Sequence, residues 1–185
     1  PGMPPVQFRF DDPLRADAVE TVGRLSAMGY RMALVSGDRP DVVARVASAV
    51  GIEDWSAEVG PQDKAAAIAK LQMNAPTVMI GDGINDAPAL AEASASMAPA
   101  AAADVSRTAA DAVFQGDRLR PVAEILEVAR ASDRLVRQNL GLALAYNLLA
   151  VPLAVLGFVT PLVAAIAMSS SSLLVVGNAL RLGRR

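Results

Sequence analysis

The feature that most limits the fold is a long segment without charged side chains near the C-terminal end. No Asp, Glu, Lys or Arg lies between Arg137 and Arg181, whereas charged residues are spread over the first 137 positions. Within this segment, residues 140–158 and 162–180 each have about the length that a helix needs to cross the hydrocarbon core of a bilayer. The sequence therefore predicts two transmembrane helices, at residues 138–158 and 162–182, joined by a turn.

Residues 1–118 have the pattern of an α/β domain in water. Helix-length segments with apolar residues at helical spacing alternate with short apolar runs, and Gly29 and Gly51 stand where helix C-cap glycines are expected. Strands that alternate with helices favour a Rossmann-type parallel sheet, with buried strands and a site along the carboxyl edge. The predicted helices are 17–28, 41–50 and 64–73, and the predicted strands are 31–35, 76–80, 95–99 and 112–115.

Basic residues flank the uncharged segment on both sides. The pattern of residues 119–137 predicts an amphipathic helix that links the α/β domain to the first span. This helix carries Arg134 and Arg137 at its end. Arg181, Arg184 and Arg185 follow the second span. Because Lys and Arg are enriched on the cytoplasmic side of membranes, we expect both ends and the soluble domain in the cytoplasm of a multi-pass protein, in bacteria at the inner membrane.

The composition narrows the chemistry. The chain has no Cys and no His, so a ligand or a general acid must come from carboxylates, Lys, Tyr, hydroxyls, amides or thioether sulfur. The net charge of −2 gives no sign of nucleic-acid binding. Residues 1–5 have neither a basic nor an apolar signal-peptide region, and we interpret them as a cut end.

The string GDGINDAP at residues 81–88 is the strongest motif. It places Asp82 and Asp86 on a glycine-rich loop directly after a predicted strand. Carboxylate oxygens suit Mg²⁺, and the glycines allow a phosphoryl group to approach the backbone N–H groups. An Asp-Gly pair alone is more often a simple turn, but the whole string in a strand-loop-helix context favours a cation site.

Two weaker motifs accompany it. Ser36-Gly37-Asp38 follows the strand at 31–35, where its hydroxyl and N–H groups would reach the same sheet edge, although helix capping is an equal alternative. Lys64 stands at the start of a predicted helix, where the helix dipole disfavours a cation. An anionic partner would explain it, and a solvated surface lysine is the alternative.

These motifs, SGD, PQDK and GDGINDAPAL, followed by two spans, resemble the catalytic half of a P-type ATPase, whose phosphorylation domain is haloacid-dehalogenase-like. The resemblance implies ATP as substrate and Mg²⁺ as cofactor. By that resemblance, phosphoryl binding falls to Ser36, Gly37 and Asp38, charge neutralisation to Lys64, Mg²⁺ coordination to Asp82, and support of that site to Asn85 and Asp86.

Two signatures of the resembled pumps do not occur in the sequence. There is no DKTGT motif with the phosphorylated Asp, and no Cys-Pro-Cys. We therefore expect the chain to be inactive alone and to be part of a longer pump, beginning near residues 8–12, where such pumps re-enter the phosphorylation domain.

Polar residues inside the predicted spans indicate which ion is carried. Tyr146, Asn147, Met168 and Ser172 lie mid-span, and polar side chains there are costly enough to suggest function. Helix packing is the alternative, above all for the serines. Thioether sulfur without any carboxylate favours Cu⁺ or Ag⁺ over Zn²⁺. The spans are similar to those of copper pumps, most of all the branch that supplies copper for cytochrome oxidase assembly.

Other functions stay open at this point. A zinc or cadmium pump would keep the motifs of the soluble domain, and a membrane-tethered phosphatase would need a nucleophilic Asp, for which Asp11-Asp12 is a poor candidate because no convincing buried strand precedes it. A non-pumping regulatory fragment is a third alternative. For a pump, the expected partners are ATP, a soft monovalent ion and the lipid bilayer, with a copper chaperone as a further candidate.

Overall fold

The computed structural model describes residues 13–82 and 84–184, which form two compact units divided between Ala123 and Glu124. Several expectations from the sequence fall outside these residues. They concern the cut end at 1–5, the re-entry segment at 8–12 with Asp11 and Asp12, Gly83 of the glycine-rich loop, and Arg185.

The first unit alternates helices and strands, as the sequence predicts. Gly29 and Gly51 follow the first two helices with φ of 83° and 77°, the left-handed conformation of C-cap glycines. A short 3₁₀ turn, Ile84–Asp86, leads into α4. The helices are α1 (Ala18–Ala27), α2 (Pro40–Val50), α3 (Pro61–Gln72), α4 (Ala87–Glu92) and α5 (Asp104–Ala109), and the strands are β1 (Ala33–Val35), β2 (Asp54–Ser56), β3 (Val78–Ile80), β4 (Ala95–Pro99) and β5 (Ala112–Phe114).

All strand pairs are parallel, but the described strands form two sheets rather than one. β1 pairs with β2, where Ala33 lies opposite Asp54. β3, β4 and β5 form the second sheet with β4 in the middle. Residues 96–99 of β4 are all buried, which makes β4 the centre of the core. Leu90 of α4 and Val43 of α2 are among its fully buried side chains.

The prediction of buried strands at 31–35 and 76–80 is wrong. Ala33 of β1 and Ile80 of β3 are exposed, and the other residues of both strands are only half-buried. Each strand has a single neighbour among the described residues, so it stands at the edge of its sheet and lacks cover from a second strand. Apolar runs do not distinguish an edge strand from a central one.

The second unit contains two long apolar helices. α6 (Arg120–Val155) begins in the first unit and runs without a break from the predicted linking helix into the first predicted span, where it ends three residues before the predicted end at 158. α7 (Pro161–Ala179) follows. By length and composition both helices are able to cross a membrane, with mean hydropathies of 1.4 and 1.7 in their apolar windows, and none of either window is buried inside the protein.

The turn between α6 and α7 has its own local signals. Gly157 adopts φ of 78°, and the Phe158 N–H donates to the Leu153 carbonyl at 3.0 Å, which ends α6. Thr160 caps α7 by accepting from the Val163 N–H at 3.4 Å, and Pro161 occupies the first helical position.

An amide contact joins the two helices near their other ends. The Asn178 side chain donates to the Asn139 side-chain oxygen at 2.9 Å. From this contact onward, the half-buried residues of α6 and α7 are spaced three and four positions apart, so they lie on one face of each helix. This interhelical face consists of Asn139, Ala143, Tyr146 and Ala150 on α6, and of Ala167, Ser171, Val175 and Asn178 on α7.

Candidate active site and predicted metal ligands

A largely buried ion pair joins two of the motifs found in the sequence. The Lys64 ammonium, in the first turn of α3, donates to a carboxylate oxygen of Asp86 at 2.7 Å, and the side chains are only 14% and 12% exposed. Asp86 ends the 3₁₀ turn before α4, and its carboxylate makes no capping hydrogen bond to that helix. Asp86 is thus the anionic partner that the position of Lys64 at a helix start required.

Gly81 is needed where it stands because the Asp86 side chain packs directly on it. A Cβ added to Gly81 would lie 2.8 Å from the Cβ of Asp86 and 3.1 Å from its Oδ2. The Gly81 N–H donates to the Met97 carbonyl of β4 at 3.2 Å, which holds the loop against the buried strand. The first glycine of the motif therefore makes room for the carboxylate that orients Lys64.

Asp82, directly after β3, has an accessible carboxylate. Its side chain is 66% exposed, and the Arg15 guanidinium lies 3.8 Å from its Oδ2. Its carbonyl accepts from the Ala103 N–H at 3.3 Å, which fixes the backbone. The loop thus presents an accessible carboxylate that could exchange the Arg15 guanidinium for a metal cation.

The loop after β1 is closed on itself. The Ser36 hydroxyl donates to Asp38 Oδ2 at 2.8 Å and accepts from the Asp38 N–H at 3.2 Å. The Glu58 N–H donates to the Asp38 carbonyl at 2.9 Å, and the Val59 N–H donates to the Ser36 carbonyl at 3.0 Å. The helix capping that the sequence left as an alternative is not seen, because the N-cap residue of α2 is Arg39 and its side chain makes no capping hydrogen bond. The Ser36 hydroxyl would have to leave Asp38 to bind a phosphoryl group.

One cleft brings the three motifs together. It has a volume of about 270 Å³ and opens to solvent. Ser36, Asp38, Asp82 and Asp86 are not among its lining residues. The residues that line it are Gly37, Glu58, Val59, Gly60, Pro61, Lys64 and Asn85.

The donor set of this site fits Mg²⁺. Asp82 offers an accessible carboxylate, whereas one oxygen of Asp86 is taken by Lys64. No cluster of three or more His, Cys, Asp or Glu side chains occurs within residues 13–82 and 84–184, so these residues do not form a closed protein cage. Mg²⁺ typically uses one or two carboxylates and takes its remaining ligands from waters and substrate phosphates, which matches this set.

The four predicted metal ligands in the second unit are not joined to one another by side-chain hydrogen bonds in the part of the chain that is described. Tyr146 lies on the interhelical face, and Asn147, Met168 and Ser172 are exposed. The Asn147 amide donates to the Ala143 carbonyl at 2.9 Å, and the Ser172 hydroxyl donates to the Met168 carbonyl at 3.1 Å. Two of the four thus satisfy the backbone of their own helix.

Comparison with known proteins gives matches over nearly the whole chain. The haloacid dehalogenase-like hydrolase family matches residues 5–94. The nitrogen fixation protein FixI of Rhizobium meliloti is 51% identical over 96% of this chain and 24% of its own length. A probable copper-exporting P-type ATPase V of Mycobacterium tuberculosis is 45% identical over 94% of this chain and 23% of its own length.

A solved structure agrees with these relatives in both units. The crystal structure of a zinc-transporting PIB-type ATPase in the E2.Pi state matches with a TM-score of 0.88 and 37% identity, over 92% of this chain and 28% of that chain. The homologues of this chain are heavy-metal P-type ATPases. They belong to an ATP-hydrolysing enzyme family, and the resemblance in the motifs and the haloacid-dehalogenase-like fold are confirmed. The chain spans about a quarter of the length of the curated relatives it matches.

Sequence reasoning missed several residues around this candidate site. Glu58 has φ of 56°, a left-handed conformation that turns the chain between β2 and the cleft, and only a glycine would have signalled it. Arg15 approaches Asp82 from 67 positions away in the sequence. Asp17 was predicted only as the first residue of a helix, yet its carboxylate accepts from the N–H groups of the distant residues Leu119 and Arg120.

Proposed function

We propose that this chain supplies part of the phosphorylation site and two membrane spans of an ATP-driven pump for Cu⁺, with Ag⁺ as a second soft ion. The observation that carries the proposal is the meeting of three separate motifs. Lys64 pairs with Asp86, and Gly37, Lys64 and Asn85 line one cleft. A phosphoryl group in that cleft would have a cation, an amide side chain and a glycine backbone around it, which suits phosphoryl transfer.

Each of these residues has a definite task in this proposal. Lys64 neutralises charge on the phosphoryl oxygens, and Asp86 binds the Lys64 ammonium at 2.7 Å and keeps it beside the cleft. Gly37 lets the phosphoryl group come close to the backbone, and Asn85 donates its amide. Asp82, supported by Asp86, would hold Mg²⁺, which when bound neutralises charge that develops in transfer.

The phosphorylated aspartate would come from another part of the longer protein, since this chain has no DKTGT motif. β1 and β3 each have a single neighbour among the described residues, and their carboxyl ends carry Ser36 and Gly81. A parallel strand added beside either one would end at the same edge of its sheet. We infer that such a strand carries the nucleophile.

For the transported ion, the relative positions of the four span residues support a shared site. Asn139 of α6 contacts Asn178 of α7. Asn147 lies eight residues after Asn139, and Ser170 lies eight residues before Asn178. Because the helices are antiparallel, Asn147 and Ser170 lie at the same height along the pair. Met168 and Ser172 lie about half a helical turn to either side of that level. All four candidate ligands are therefore at similar depth.

The helical rotation of these ligands gives further support. Asn147 comes one residue after Tyr146 of the interhelical face, and Met168 and Ser172 come one residue after Ala167 and Ser171. In two antiparallel helices, a step of one residue beyond the shared face turns both side chains toward the same flank of the pair. That flank would present an amide, a thioether and a hydroxyl to a further helix of the pump.

Zinc transport is the second candidate because the zinc-transporting PIB-type structure is 37% identical with a TM-score of 0.88. Against zinc, the spans contain no carboxylate, and a thioether is a soft ligand. The copper-exporting relative is the more similar, at 45% identity. Copper supply for cytochrome oxidase assembly and delivery of Cu⁺ by a chaperone are finer parts of the copper proposal.

The proposed location is a membrane, in bacteria the inner membrane, with the soluble unit in the cytoplasm. The proposed membrane location is supported by two helices of suitable length and hydropathy. The proposed orientation is supported by the arginines on both flanks of the uncharged segment. ATP hydrolysis by the complete purified protein, measured with Cu⁺, Ag⁺, Zn²⁺ and Cd²⁺ in turn, tests the ion. Stimulation by Cu⁺ and Ag⁺ is expected, and stimulation by Zn²⁺ alone would refute the copper assignment.

A further inference from the structure

Asp17 makes contacts that its own helix does not use. It occupies the N-cap position of α1, yet its carboxylate makes no capping hydrogen bond there. Instead Oδ1 accepts from the Leu119 N–H at 3.0 Å, and Oδ2 accepts from the Arg120 N–H at 2.8 Å. The two carboxylate oxygens thus bind the N–H of the residue just before α6 and the N–H of its first residue, more than 100 residues further along the chain.

This carboxylate suits the start of α6 on electrostatic grounds. The first N–H groups of a helix have no partner within the helix, and the helix dipole attracts a negative charge there. Partial burial by itself would raise the pKa of Asp17, but the backbone N–H groups of Leu119, Arg120 and Asp17 itself, together with the positive charge of Arg118, hold the pKa below its ordinary value of 3.8. Val122 and Ala123, in the first turn of α6, are also fully buried. The beginning of α6 is therefore fixed in the first unit.

The same short segment also reaches the candidate magnesium site. Arg15, two residues before Asp17, lies 3.8 Å from Asp82. The Ala18 N–H donates to the Arg15 carbonyl at 3.0 Å, so residues 15–17 form one turn that leads into α1. A cation bound at Asp82 would compete with the Arg15 guanidinium for the same carboxylate. One turn thus contacts both Asp82 and the start of α6.

We propose that Asp17 is a positioning residue that fixes the start of α6 relative to the phosphoryl site, with Arg15 as its contact to Asp82. Exchange of Arg15 for a cation at Asp82 shifts the turn at residues 15–17, and Asp17 passes that shift to α6. This role rests on the proposed pump function, because α6 continues into the first predicted span. It adds to that function a named connection between the soluble site and the membrane.

Hydrogen exchange provides a test that does not depend on activity. In Asp17→Ala, the amides of Leu119 and Arg120 should exchange roughly tenfold faster than in the unchanged protein, because both lose their acceptor oxygens. Asp17→Asn keeps one acceptor oxygen, so its exchange rate at these amides should lie between those of the unchanged protein and of Asp17→Ala. Asp133→Ala, which removes an exposed partner of Arg137 on the same helix, is the matched control and should leave these amides unchanged. Unchanged exchange in Asp17→Ala would refute the cap.

The coupling itself is tested in the complete purified pump. ATP hydrolysis and the level of phosphorylated protein are measured with and without the ion that stimulates the unchanged enzyme. Asp17→Ala should retain phosphorylation while the ratio of hydrolysis with ion to hydrolysis without ion falls toward one, and Asp133→Ala should keep the full ratio. Equal losses of phosphorylation and of hydrolysis, with the ratio retained, would show a merely structural role and overturn the proposal.

The two levels of failure are distinguishable. If the unchanged complete protein forms no phosphorylated intermediate, the proposed pump function fails, and the coupling role fails with it. If the unchanged protein behaves as a pump and Asp17→Ala keeps its full ion stimulation, only the inference about Asp17 is overturned. Arg15→Gln is the second variant, since it leaves the cap intact, and it should reduce the ion-stimulation ratio without faster amide exchange at Leu119 and Arg120.

Discussion

The Lys64 ammonium lies 2.7 Å from an Asp86 carboxylate whose side chain packs on Gly81, so that three residues from two motifs form one rigid contact. Neither partner is more than 14% exposed, and a charge left alone there would be costly. The pair therefore holds the ammonium at the cleft before any phosphate arrives. This contact joins the loop after β3 to the start of α3 at the cleft.

Gly81→Ala should disturb this contact. The new Cβ would lie 2.8 Å from the Cβ of Asp86, and overpacking of this kind costs about 1–3 kcal/mol. Urea unfolding of this chain in detergent, followed by the fluorescence of its single Trp, Trp55, measures the change. Gly23→Ala is the control, because nothing lies within 4 Å of its new Cβ in α1, and it should stabilise the protein by roughly 0.5–1 kcal/mol.

Lys64→Met should destabilise the first unit and also prevent phosphorylation of the complete protein. Removing the ammonium leaves the Asp86 carboxylate nearly buried without this partner, at a cost of about 1–3 kcal/mol. Lys70→Met on the same helix is the control, since Lys70 is exposed. The unfolding free energy and the phosphorylation level are the two measurements. Normal phosphorylation in Lys64→Met would remove Lys64 from the proposed site.

The contribution of Asp17 should depend on pH in the acidic range. The pKa of Asp17 is lowered in the folded protein from its ordinary value of 3.8, so its carboxylate contributes full stability above about pH 4 and loses it as the pH falls through the folded-state pKa. Asp17→Asn cannot titrate. The difference in unfolding free energy between the unchanged chain and this variant should therefore shrink below about pH 4, and a constant difference from pH 6 to pH 3 would contradict the assignment.

Met168→Leu should remove Cu⁺ stimulation without removing the protein from the membrane. Leu keeps the volume and apolarity of Met, so packing should change by less than about 1.5 kcal/mol, whereas the thioether ligand is lost. Met168 is 67% exposed, so few contacts within the chain depend on it. Ile166→Leu on the same helix is the control. An unaltered Cu⁺ response in Met168→Leu, measured as ATP hydrolysis by the complete pump, would refute this ligand.

The sequence predicts the parts of this structure that depend on local signals. Gly29 and Gly51 marked the ends of α1 and α2, and the strand at Ala95–Pro99 was predicted with its correct bounds. The helix α5 and the strand β2 were missed because each is too short for its periodicity to be recognised. β2 is fully exposed, so it has no apolar pattern to signal it.

The candidate site shows the same division. Lys64 and Asp86 were both found, because a cation at a helix start and an acid on a glycine-rich loop are unusual locally. Their direct contact was not predicted, since it depends on how α3 packs beside the loop. The contact of Asp17 with α6 could not be predicted either, because no local sequence pattern shows which distant helix an acidic side chain will cap.

The most direct test of the account is phosphorylation of the complete protein by labelled ATP in the presence of Mg²⁺ and Cu⁺, with Asp82→Asn compared with Asp41→Asn. Asp82 has the accessible carboxylate that we propose binds Mg²⁺, whereas Asp41 is an exposed acid of α2 paired only with Arg39 among the described residues. The account predicts an acid-stable, hydroxylamine-sensitive phosphoprotein in the unchanged protein and in Asp41→Asn, and little in Asp82→Asn. Equal phosphorylation in all three, or none in the unchanged protein, would contradict it.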